Sequence, residues 1–152
     1  MASALGAPHH DTDDYLWIPT DPSYRQRRPL NERLRLMDAI FVLRPDWVLS
    51  GSLDEWNSGL DTLYDLVVFV QTPTDVRLAR LRDRESRRLR TDTLPPDAED
   101  FLEWASHYDD GERDGRNIVR HLAWLDTLSC PVLGLDGTRP VGDLTAEVLA
   151  AL

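Results

Sequence analysis

A chain of 152 residues can bury a hydrophobic core of its own, and it reads as one domain. Its net charge of −10 and pI near 4.7 exclude a general nucleic-acid binder, which needs a basic surface. No apolar run reaches membrane-spanning length, no signal peptide precedes the first polar residues, and the single Cys130 excludes an internal disulfide framework, so the chain reads as cytoplasmic.

All 17 basic residues are arginine, and no lysine is present. In chain order, Ala2 to Leu5 reads as the last turn of a helix, with Gly6 as its left-handed terminator and Pro8 just beyond. A helix tail with no helix before it implies further sequence upstream. Residues 8–11 form a short strand leading to Asp11, Asp13 and Asp14. These acids either cap the following turn or serve a site at the strand's end. Trp17 to Arg28 contains Pro19 and Pro22 and is a loop. Pro29 opens a helix with Leu30, Leu34, Met37 and Phe41 at helical spacing, ended by Arg44-Pro45-Asp46. Trp47 to Leu49 is a short strand running into Ser50-Gly51-Ser52, a small-residue turn where backbone can approach a ligand closely. Residues 53–64 are irregular.

Leu66 to Val70 is a β-branched and aromatic run, as a strand buried on both faces should be. Pro73 ends it, and Thr74 or Asp75 can cap a helix with apolar Val76, Leu78 and Leu81. That helix carries Arg77, Arg80, Arg82, Arg84, Arg87, Arg88 and Arg90, which in so acidic a protein suggests an anion near the strand's carboxyl end. Thr91 to Pro96 is a break, and Asp97 to Tyr108 is helical with Phe101, Leu102, Trp104 and Ala105 on its apolar side. Asp109 to Arg116 is polar and glycine-containing, which makes 91–116 a mobile, lid-like insertion. Ile118 to Leu128 is a helix, and Pro131 to Leu135 another buried strand that takes Cys130 into the interior. Asp136 to Pro140 is a tight turn, and Val141 to Leu152 a closing amphipathic helix. Strands alternating with helices argue for an α/β sandwich with a mostly parallel sheet. Its carboxyl edge would gather DTDD, SGS, the arginine helix and DGTRP.

With these four loops in this order, the chain resembles the P-loop small-molecule kinases of the adenylate kinase and shikimate kinase-like group. Thr72-Pro73-Thr74-Asp75 followed by Arg80 and Arg84 is similar to that group's lid helix, whose paired arginines clamp phosphates. Gly137-Thr138-Arg139-Pro140-Val141 looks like its adenine loop, and Asp11-Thr12-Asp13 is similar to the D-T-D of shikimate kinases. The resemblance implies a three-layer P-loop kinase-like sandwich and an ATP- and magnesium-dependent phosphotransferase. It implies ATP contacts from Gly137, Thr138, Arg139, Pro140 and Arg88. It further implies that Arg80 and Arg84 act together on the transferring phosphoryl group, that Asp13 accepts a proton from an acceptor hydroxyl, and that Asp11 orients Mg²⁺ through water. Asp13, Asp14, Arg25, Arg28, Ser50 and Gly51 would meet a small-molecule acceptor.

Two features depart from the pattern. The group's G-x-x-x-x-G-K-[ST] loop is absent, no lysine can replace its lysine, and Ser50 stands where many relatives place a magnesium-directing acid. The chain therefore reads as incomplete at its N-terminus, with the first, central strand and the following helix missing between the strands at 47–49 and 66–70. Taken so, the 152 residues are expected to show no kinase activity, weak nucleotide affinity and poor stability alone. The alternative is a non-catalytic, nucleotide-sensing or partner-binding descendant of the kinase fold. His9 and His10 beside three aspartates, the tryptophans 17, 104 and 124, and Cys130 read as structural: the metal-ligand spacing is poor, and core packing is the commoner fate of such residues.

Overall fold

Two parallel strand pairs, each flanked by helices, carry the architecture in a computed structural model that describes residues 1–53, 56 and 59–152. The chain is α/β and divides into two compact units, Met1–Leu60 and Asp61–Leu152. Among the described residues, no helix is long and apolar enough to cross a membrane.

The first unit holds α1 (Ala2–Leu5), β1 (His9–Asp11), α2 (Thr12–Leu16), α3 (Leu30–Met37) and β2 (Val48–Ser50). Gly6 closes α1 at φ 67, the conformation only glycine adopts without strain. β1 and β2 pair in parallel, with His9 opposite Val48 and Asp11 opposite Ser50. The helical spacing of Met37 and Phe41 takes both side chains fully out of water. The second of them lies in a π-helical turn, Asp38–Val42, that continues α3. Rings surround Phe41: His10 stacks on it at 4.3 Å between centroids, and Trp47 meets it edge-on at 5.1 Å. Burying a side chain of this size contributes roughly 1.5–3 kcal/mol. Leu30, on the same stripe, is exposed because it opens the helix.

The second unit holds β3 (Val67–Gln71), α4 (Thr74–Leu89), α5 (Pro96–Ser106), α6 (Ile118–Leu125), β4 (Val132–Asp136) and α7 (Val141–Ala151). β3 and β4 pair in parallel from Val67 opposite Val132 to Gln71 opposite Asp136. Leu94, Ala98 and Leu102 form a core cluster against Leu81, Leu89 and Phe101. The segment 91–116 is thus packed on α4 through α5.

Several expectations are corrected. The strand at 66–70 is not buried on both faces: Val70 is 52% exposed, and in β4 only Leu135 is buried. A parallel strand is buried on both faces only where helices cover both, and Val70 and Val132 keep part of their surface in solvent. Cys130 is half-buried rather than interior. Neither Thr74 nor Asp75 caps α4, since Pro73 holds that position and the Thr74 hydroxyl donates to Asp109 instead. Trp104 is 37% exposed, because the buried stripe of α5 runs through Ala98, Leu102 and Ala105. The irregular reading of 53–64 falls partly on residues 54, 55, 57 and 58, outside the described residues, and ends in a 3₁₀ turn at Leu60–Leu63.

Candidate functional site

In the first unit, parallel pairing alone brings Asp11 and Ser50 together, because each ends its strand. The Asp11 carboxylate does two things. Oδ1 accepts the Asp13 N–H at 2.9 Å and so caps α2, while Oδ2 accepts the Ser50 hydroxyl at 3.1 Å. His9 Nε2 lies 3.0 Å from the same hydroxyl. Of the two alternatives in the sequence, capping is therefore the one observed, on Oδ1, while Oδ2 holds the Ser50 hydroxyl. Asp13 and Asp14 are exposed in the first turn of α2, where the helix dipole favours their charge.

Gly51 adopts φ 109, and a Cβ there would stand 1.8 Å from Thr12 Oγ1. The SGS turn is thus small because it packs on the buried Thr12 of the DTD segment. Arg28 directs Nε and one terminal nitrogen to the carbonyls of Tyr15 and Trp17, at 3.1 and 3.3 Å, which fixes the base of the 17–28 loop. Arg25 is exposed in that loop, beside Tyr24 at φ 63. Behind the site, His10 Nδ1 bonds the Tyr15 hydroxyl at 2.9 Å, while its buried Nε2 has no partner among the described residues. Burial, His9 and Arg44 together push the His10 imidazole below its ordinary pKa, against the pull of Asp14.

In the second unit the arginine helix and the GTRP turn follow paired strands, and Arg80 joins them. Its NH1 donates to the Gly137 carbonyl at 2.7 Å. Gly137 itself donates to the Gln71 carbonyl at 2.6 Å, and a Cβ on it would fall 2.1 Å from Thr72 Oγ1, so the two turns interlock only around glycine. Asp136 shapes the turn by accepting the backbone N–H and hydroxyl of Thr138, at 2.9 and 2.8 Å, bonds that hold its carboxyl below the usual range. Pro140 starts α7, and Arg139 pairs with Glu147 at 2.6 Å.

Arg80 and Arg84, expected side by side on one group, point to different partners. Arg84 bonds Glu85 and lies over the Phe101 ring at 5.7 Å, and Arg88 bonds the same Glu85. Two residues take roles that the sequence does not assign to them. Glu85 is the first. The second is Arg77, which bonds Thr72 O and Ala105 O, lies over the Tyr108 ring and pairs with Asp109 at 3.0 Å, so tying the 91–116 segment to the first turn of α4. Glu85 had a visible signal, its place four residues from both Leu81 and Leu89. Asp109 had none.

Over 98% of its length the chain is 34% identical to the Bacillus subtilis (strain 168) protein called "Uncharacterized protein YqaC", 85% of which it covers. No family model and no solved structure matches it.

Proposed function

The chain belongs to the family of the Bacillus subtilis protein YqaC, and we propose that it is an ATP-dependent phosphotransferase of the P-loop small-molecule kinase type, acting on a hydroxyl acceptor. The observation that carries the reading is the Arg80–Gly137 hydrogen bond, which joins the two elements proposed to hold the nucleotide at the carboxyl ends of β3 and β4. Strand pairing supports it as well. A kinase-type sheet is mostly parallel, and strands 9–11 and 48–50 pair in parallel, as do strands 67–71 and 132–136.

The residues fit the groups such an enzyme uses. Asp11, at the end of β1, is the residue that would orient Mg²⁺ through water, and its Oδ2 here accepts the Ser50 hydroxyl; among the described residues no group of three or more His, Cys, Asp or Glu side chains could hold the ion directly. When bound, Mg·ATP supplies the phosphoryl group and part of the charge neutralisation. Arg80 and the 137–140 turn orient the nucleotide, and Arg84 and Arg88 offer positive charge to its phosphates. Asp13 accepts the acceptor's proton. A carboxylate there repels a phosphate-bearing acceptor and so favours a neutral hydroxyl compound of sugar, shikimate or nucleoside type.

The glycine-rich loop and lysine of such enzymes are not among these 152 residues, which is what favours the second reading, a nucleotide-sensing or partner-binding protein. ADP release from Mg·ATP, measured on the longest in-frame product of the gene with a panel of hydroxyl compounds, separates the two. Release that depends on one compound supports the transferase. A folded protein that releases none with any compound removes it.

A further inference from the structure

Glu85 stands where the apolar stripe of α4 should carry a hydrophobe. It lies four residues after Leu81 and four before Leu89, both packed against Leu94, Ala98 and Leu102, and it is only 5% exposed. A carboxylate in that position needs partners, and two arginines of the same helix supply them. Arg84 gives Nε and NH2 to Oε1 at 3.1 and 3.0 Å, and Arg88 gives the same two nitrogens to Oε2 at 2.8 and 2.6 Å. Burial alone would push the Glu85 carboxyl up, but the bonds from Arg88 and Arg84 outweigh it and hold it below the ordinary range. Both guanidinium groups therefore use one edge on Glu85 and keep the NH1 edge for another acceptor. Their side chains remain 58% and 46% exposed, and the trio keeps one net positive charge. Neighbouring arginines are engaged elsewhere: Arg77 with Asp109, Arg82 with Glu99, Arg87 with Asp83.

A buried ion cluster rarely outdoes a well-packed hydrophobe in stability, so stability alone does not account for Glu85. We propose that Glu85 is a positioning residue that fixes Arg84 and Arg88 as a preformed two-arginine receptor for a polyphosphate. The arrangement is independent of any enzyme class; only the identity of the anion rests on the phosphotransferase reading.

Calorimetric titration with inorganic tripolyphosphate at low salt tests it on wild type, Glu85→Gln and Glu85→Leu. Simple electrostatics predicts tighter binding once a negative charge is removed. Positioning predicts the opposite, a loss of about tenfold or more in both variants, with the melting temperature of Glu85→Leu equal to or above wild type. Arg84→Lys, which keeps charge but loses the fork, should weaken binding similarly. Unchanged or tighter binding by either Glu85 variant overturns the inference, as does a wild type that ignores tripolyphosphate. If Mg·ATP still binds in an Arg80-dependent way in those cases, the transferase reading survives alone; if it does not, both fall.

Discussion

Replacing Gly51 by alanine asks whether the SGS turn is small for a ligand's sake or for the protein's own. Its φ of 109 is a conformation that L side chains rarely adopt, and forcing one into it costs about 1–3 kcal/mol. The new Cβ would stand 1.8 Å from Thr12 Oγ1, 2.9 Å from Thr12 Cβ and 3.0 Å from Thr12 Cγ2. Rotating Thr12 exchanges its branches but leaves the Cβ contact in place. At 3% exposure Thr12 has no solvent to move into, so the strand end must shift, at roughly 1–3 kcal/mol more. The sum, about 2–6 kcal/mol, is a large part of a typical domain's stability of 5–15 kcal/mol. Urea unfolding followed by tryptophan fluorescence reads it directly. Thr12→Ala in the same chain removes Oγ1 and Cγ2, and should return about 1–2 kcal/mol of the loss while the φ term stays. A Gly51→Ala protein within about 0.5 kcal/mol of wild type would refute the packing account and leave the turn free for a ligand.

Two further outcomes follow from the geometry. The His10 pKa lies below its unfolded value, so its contribution to stability is present above about pH 6.5 and is lost as pH falls through the lower folded value; thermal melts should fall on that limb, and a His10 C2 proton titrating at or above the ordinary value would contradict its burial against Phe41. Arg77→Ala removes the ties to Asp109, Ala105 and Tyr108, and should cost roughly 1–3 kcal/mol while speeding amide exchange over 105–118. Exchange as slow as in wild type would show that α5 packing alone holds that segment.

Local pattern made the strand–helix order legible. The strands 48–50 and 67–71 begin one residue after the runs 47–49 and 66–70 that announce them, and the DTDD, SGS, arginine and GTRP segments all follow parallel strands. What escaped depends on partners distant in the chain. Thr12 meets Gly51, and Thr74 meets Asp109, across 39 and 35 residues, and no periodicity encodes such pairs. Apolar runs at 66–70 and 131–135 look fully buried because helices cover both faces of a typical parallel sheet, and here Val70 and Val132 keep part of their surface in solvent. Glu85 was missed for the opposite reason: a charge in an arginine-rich helix reads as surface until its spacing from Leu81 and Leu89 is counted.

The claim at the centre of this account is that the arginine helix and the GTRP turn hold a nucleotide whose phosphoryl group is transferred. Single-turnover transfer from γ-labelled Mg·ATP to a hydroxyl acceptor, compared between the longest in-frame product and its Arg80→Ala variant, measures it. The account predicts label on the acceptor, and a variant that remains folded but transfers roughly 10³-fold more slowly. Transfer by Arg80→Ala at the wild-type rate, or a folded wild type that labels no acceptor, would contradict it.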